Sequence, residues 1–166
     1  VSTTAIPAVI DYLVAQANAS ASLGASASAP VAVYDGPVVL DQWPPMILWV
    51  GVDAQWLLQD QQGTTTPAKA TQEWVGPGNR KRNEHLTISC VADAWYGGTD
   101  VRTARQSVLA IMAAFEDMTR NDANLGGNVL FIEPGVTNTQ WYAGQFAAGL
   151  RVLAGFDFNC FARIGT

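Results

Sequence analysis

Charge is scarce in this sequence. Asp, Glu, Lys and Arg together make up 14% of its 166 residues, against about 25% in an ordinary soluble domain. A monomer keeps itself dissolved with surface charge, whereas a subunit partly covered by neighbours needs less of it, so the deficit points toward an assembly. Long hydrophobic runs are missing too. No apolar stretch approaches the roughly 20 residues that cross a bilayer, so no transmembrane helix and no membrane partner are expected. The first residues lack the basic segment and long apolar core of a secretory signal, and none is expected.

The residues that most often carry metal or nucleophile chemistry are few. One histidine, His85, and two cysteines, Cys90 and Cys160, offer no zinc spacing. The carboxylates are scattered rather than set in a calcium loop, and "GPGNRKR" lacks the order of a phosphate-binding loop. Both thiols are expected to act as small core residues in a reducing compartment. His85 could be drafted as a base beside Glu84 or Asp93, with Cys90 as nucleophile. On an alternating strand, however, positions 85 and 90 leave opposite faces, while a nucleophile and its base must approach within about 3 Å. His85 is therefore read as a solvated strand-end residue. No catalytic residue, cofactor or metal is expected.

The sequence does contain strong periodicity. "AIPAVIDYLVAQ" sets Ile6, Ile10, Leu13 and Ala17 on one helical stripe, widened by Val9 and Val14, with Thr3 or Thr4 as its cap. A second helix begins at "TDVRTARQ", with Thr99 as the expected N-cap, carries Val101, Ala104, Val108, Ile111 or Met112, and Phe115 inward, has Arg120 in its closing turn, and is stopped by Gly126-Gly127. Strands are expected at "VAVYDGP", "MILWVGVD", "TQEWVG", "NVLFIEPG" and in two long alternating runs. In the first long run Leu86, Ile88, Cys90, Ala92 and Ala94 share the core face. In the last, Leu150 to Ile164 alternate with Arg151, Asp157, Asn159 and Arg163.

These elements predict an α+β domain covering residues 1–166. Its sheet is mostly antiparallel or mixed, with two main helices packed on one face. The Ala/Ser-rich stretch 19–30 reads as a flexible connector, and 54–70 as an exposed loop excursion. Six tryptophans are many for this length. Trp49 is expected in the core, whereas Trp74, Trp95, Trp141 and Tyr142 are candidate interface anchors, the alternative being that the tryptophans cover a helix-free sheet face.

The order of the helix "AIPAVIDYLVAQ", the turn "VYDGPVV", the strand "WVGVD" and the block "QEWVGPGNRKRNEHLTISCVADAWYGGTDVRTAR" is distinctive. Followed by "LGGNVLFIEPG" and a long strand ending "ARI", it resembles the tail terminator proteins of long-tailed phages with actinobacterial hosts. The resemblance spans residues 5–164 and is most specific over 72–105. It implies a virion protein that acts structurally and not as an enzyme. Such a protein forms a ring, as a homohexamer, at the head-proximal end of the tail tube, ends tube polymerisation and docks the head–tail connector or stopper protein. Genomic DNA passes through the ring without sequence-specific binding. The longer 54–70 stretch and the Ala/Ser-rich connector depart from that pattern. A neighbouring head–tail joining or stopper protein is the nearest alternative, and a small monomeric enzyme or ligand-binding domain a more distant one.

The resemblance gives the basic triplet Arg80-Lys81-Arg82 a context. Six copies at a net charge of −5 each would repel unless opposite charges met across the seams. The triplet is expected to reach a neighbouring subunit or the adjoining tube or connector. Contact with DNA in the lumen and an ordinary solvated hairpin tip are the other two readings.

Overall fold

Two long strands organise the molecule. The computed structural model describes residues 2–24, 27–146 and 149–165. In chain order its elements are α1 (Ile6–Ala19), β1 (Ala32–Asp35), β2 (Met46–Val50), α2 (Ala54–Leu58), β3 (Ala68–Trp74), β4 (Arg82–Tyr96), α3 (Val101–Arg120), β5 (Phe131–Ile132), β6 (Thr137–Phe146) and β7 (Gly149–Ile164). β4 and β7 pair antiparallel along their full lengths, from Arg82 opposite Ile164 to Tyr96 opposite Leu150. β2 and β3 share the outer edge of β4, with β1 parallel to β2, while β5 and β6 share the outer edge of β7. Among the described residues this is an α+β fold with three α-helices on a seven-stranded mixed sheet, the class its periodicity predicts.

Alternation along β4 and β7 builds the first sheet face. Leu86, Ile88, Cys90 and Ala92 join Val152, Ala154, Phe156, Phe158 and Cys160 in one buried layer beneath α1 and α3. α1 contributes Val9, Leu13 and Ala17, and α3 contributes Ala104, Val108, Ile111, Met112 and Phe115. The Phe115 ring meets Phe156 and Phe158 edge-on at centroid distances of 5.4 and 5.6 Å. Burying each such side chain contributes about 1.5–3 kcal/mol.

Several ends and loops differ from the sequence expectation. Asp100, not Thr99, caps α3, because its carboxylate accepts the N–H groups of both Arg102 and Thr103. The helix ends at Arg120, the residue expected in its closing turn, but Gly126-Gly127 belong to a separate 3-10 turn instead of stopping it. At α1 the Thr4 hydroxyl accepts the Ile6 N–H, and buried Glu84 of β4 accepts the Ala5 N–H at 2.7 Å. The expected strand at "NVLFIEPG" contracts to the two residues of β5. The ten-residue β6, for which no strand is expected, takes most of the free edge of β7.

Residues 25 and 26 of the 19–30 connector lie outside the described residues. Within the rest, Leu23 is fully buried and its carbonyl accepts the Val31 N–H, so this part is anchored to the core. The 54–70 stretch is not one exposed loop. Ala54, Trp56 and Leu57 are buried in α2, and the stretch ends inside β3.

Candidate functional site

The second sheet face has two unlike halves. At the end where β2 flanks β4, the face carries Val91, Asp93, Trp95, Arg151, Leu153 and Gly155. It is covered by Trp56 and Leu57 of α2 and by Trp43 from the loop before β2. Fully buried Trp49 meets Tyr34 at 5.1 Å, Trp43 at 6.1 Å and Trp56 at 6.3 Å. α2 can sit this low because residue 155 is glycine: a Cβ there would lie 3.0 Å from the Ala54 Cβ.

This half also contains a buried ion pair. Arg151, 5% exposed, donates through Nη2 and Nε to the two carboxylate oxygens of Asp93 at 2.6 and 3.0 Å. Its guanidinium lies 4.9 Å from the ring centroids of both Trp43 and Trp95. Pairing neutralises each charge and the indoles replace water, the two conditions for holding ions in an apolar layer.

Asp53 fixes the start of α2. Its carboxylate accepts the N–H groups of Trp56 at 3.0 Å and Thr66 at 2.9 Å. Burial acts to raise its pKa, but the hydrogen bonds from Thr66, Trp56, Thr65 and Gln55 outweigh it and hold the carboxyl below its ordinary value.

The other half, flanked by β3 and β5, is open. The His85 ring lies parallel to Phe161 at 4.3 Å and 4°, and Phe131 stacks on Phe161 at 4.6 Å. Thr71, Glu73, Asn83, Leu130 and Arg163 complete a groove of about 420 Å³ around them. Leu130 and Phe131 are each 49% exposed. Glu133 approaches His85 Nε2 at 3.7 Å. His85 thus lies near the start of β4 with its side chain 46% exposed, solvated as expected but stacked in an aromatic column. Between the halves runs a polar belt in which Thr87 bonds Asn159 and Asn138 bonds Asp157.

The predicted site residues separate into groups. Trp74, 69% exposed, stands at the end of β3 with the Arg82 guanidinium 5.7 Å from its ring. Arg80 and Lys81 are exposed on the same hairpin tip, and neither forms an ion pair among the described residues. Trp95 and Tyr142 belong instead to the covered half. Trp95 packs between Trp43 and Phe146, and the Tyr142 hydroxyl bonds Gln55 and Gln140. Trp141 is exposed on β6, across the sheet from Trp74.

Sequence reasoning missed the Asp93–Arg151 pair and the His85–Phe161–Phe131 column. Asp93 inside an otherwise apolar strand end was the available signal for the first. The second depends on cross-strand register, because His85 stands opposite Phe161 and Phe161 opposite Phe131.

Cys90 and Cys160 are free and lie on the helix-covered face, where burial pushes both thiols up to about 12. Among the described residues no group of three or more His, Cys, Asp or Glu side chains could hold a metal ion, and no helix is long and apolar enough to cross a membrane. No family model matches the chain, and no curated protein sequence matches it.

Proposed function

We propose that this chain is the subunit of a ring that caps the head-proximal end of a phage tail tube, ends tube growth and docks the head connector. The observation that carries the reading is the open half of the second sheet face. There Leu130 and Phe131 lie exposed beside the His85–Phe161 stack, and Val75 stands exposed just past the end of β3; Trp74, also exposed, leaves the opposite, helix-covered face. An exposed aromatic and aliphatic patch such as Leu130 and Phe131 beside the His85–Phe161 stack suits an interaction surface, and the low charge of the chain supports covering it in an assembly.

A cyclic ring uses heterologous contacts, in which one surface of each copy meets a different surface of the next. The unpaired cations of Arg80 and Lys81 suit such a contact, because a basic tip meeting a neighbour's carboxylates sets direction and register. One ring face would bind the last tube disc, and the opposite face would present the connector rather than another disc. DNA would pass through the centre without base-specific contacts.

Electron microscopy of the purified protein, alone and mixed with tail tubes, tests the proposal. Rings seated on tube ends are the expected result. A chain that stays monomeric in both preparations overturns it. Rings found at the connector side of finished virions, away from the last tube disc, would move the assignment to a head–tail joining protein. Reversing all three charges of Arg80-Lys81-Arg82 should abolish rings on a sizing column, and intact rings would remove the triplet from the seam.

A further inference from the structure

We infer that neighbouring copies join by adding the β6 edge of one to the β3 edge of the next, in an antiparallel register that sets Trp141 against Trp74. This rests on the ring reading and specifies how its seams are made.

β6 is an unprotected edge. Its sequence, TNTQWYAGQF, contains no charged residue and no proline, although exposed edge strands ordinarily carry such features to prevent pairing. The one irregularity lies between Thr137 and Gln140, leaving Gln140–Phe146 in regular register with β7. On the opposite margin of the sheet, β3 is exposed along six of its seven residues. The remaining edges are poorer partners: β1 has four residues and ends in Asp35, and β5 has two.

The backbone phases of the two edges agree. Ser89 donates its N–H to the Pro67 carbonyl, so the odd-numbered residues of β4 turn their backbone groups toward β3. They meet Lys69, Thr71 and Glu73, and ladder alternation leaves Ala70, Gln72 and Trp74 directed outward. At the other margin, Leu130 and Glu133 donate to the carbonyls of Phe161 and Asn159. The odd-numbered residues of β7 therefore face β5 and β6. They engage Gln140, Tyr142, Gly144 and Phe146, leaving Trp141, Ala143 and Gln145 directed outward.

Side-chain phase gives the same answer. Trp141 and Ala143 stand opposite Ala154 and Val152, and Gln72 stands opposite Glu84, so both outward sets share the helix-covered face. Strand directions fit as well. β3, β4, β7 and β6 alternate in direction, and rotation about a ring axis carries that relation from copy to copy, so the join is antiparallel. Among the in-phase registers, one matches the exposed indoles: Trp141 opposite Trp74, Ala143 opposite Gln72 and Gln145 opposite Ala70. It also sets Tyr142 against Glu73 and Phe146 against Lys69, with no like charges facing each other. The turn after Trp74 then carries the basic triplet alongside the neighbour's Thr137–Gln140 segment, beside a cleft that holds Asp53 and Asp157.

Disulfide trapping tests the register. Ala70→Cys and Gln145→Cys are introduced together in the full chain. The two sites lie on opposite sheet margins, so their bond forms only between copies. The native Cys90 and Cys160 are buried and do not compete. In the inferred register the paired Cα atoms lie about 5.5 Å apart, within disulfide reach. Oxidation should give a covalent ladder up to the copy number of the ring, while the out-of-register pair Ala70→Cys with Ala143→Cys should give little product. A second variant, Ala143→Lys with Gln145→Lys, should remain a folded monomer and lose rings. Rings that form without the Ala70–Gln145 cross-link, or that survive the double lysine change, overturn the edge pairing while leaving the ring itself in place. Wild-type protein that stays monomeric alone and with tail tubes overturns both.

Discussion

The two halves of the second sheet face rest on the same pair of strands yet end differently. Over Val91, Leu153 and Gly155 the chain folds back as α2 and seals a tryptophan layer around a buried ion pair. Over His85 and Phe161 no helix returns among the described residues, and an aromatic column and groove stay open. The strands alternate in both halves, so alternation alone does not decide which residues are buried. The connection after each flanking strand decides it: β2 leads into a capped helix that recrosses the sheet, while β3 leads into a tight tip that turns straight back into β4.

That contrast can be broken from either side. The largest effect is expected from Arg151→Met, which strands the Asp93 carboxylate in the covered half and should cost about 3–5 kcal/mol in urea unfolding. Replacing both partners, as Asp93→Leu with Arg151→Met, should recover most of that loss. Gly155→Val would push α2 off the sheet, and a cost of about 1–3 kcal/mol is expected, with a red-shifted tryptophan emission as the tryptophan layer opens.

Asp53→Ala removes the cap of α2, for a loss of about 1 kcal/mol at neutral pH. The folded carboxyl titrates below its ordinary value, so its contribution is fully present above the unfolded carboxylate pKa and is lost as pH falls through the folded one. Unfolding curves of wild type and variant should therefore converge in acid. The smallest effect on stability is expected in the open half. Leu130→Ser, at a half-exposed position, should shift monomer stability by no more than about 0.5 kcal/mol while reducing ring formation on a sizing column. A large destabilisation there would mean that the open half belongs to the core after all.

Much of the scaffold was legible because its signals are local. The alternation of β4 and β7 and the stripe of α3 each repeat many times within one element, and all three elements form where the sequence places them. The stripe of α1 is also visible, although the burial of Val9, Leu13 and Ala17 shifts its centre away from Ile6 and Ile10. β6 escaped because Gln, Asn and Gly break its apolar alternation, and it takes its strand form from the free edge of β7. α2 escaped because five residues, two of them Trp56 and Leu57, lie inside a polar stretch. Thr99 and Asp100 are adjacent cap formers, and only backbone geometry selects between them. The candidate surface was legible in part. Trp74 and the basic triplet share one hairpin as expected, but the sorting of Trp95 and Tyr142 into a covered layer depends on cross-strand register that no short window contains.

The carboxylate of Glu84 has a kinetic consequence. It reaches back 79 positions to receive the Ala5 N–H and also receives Gln72 Nε2 at 2.7 Å. α1 is synthesised long before β4, so the acceptor for its first turn does not exist when that helix leaves the ribosome. The earliest helix made should therefore be among the last seated. In pulse-labelled hydrogen exchange, protection at Val9 and Leu13 should lag behind that of β4 and β7, and Glu84→Ala should slow this late docking step without delaying sheet formation.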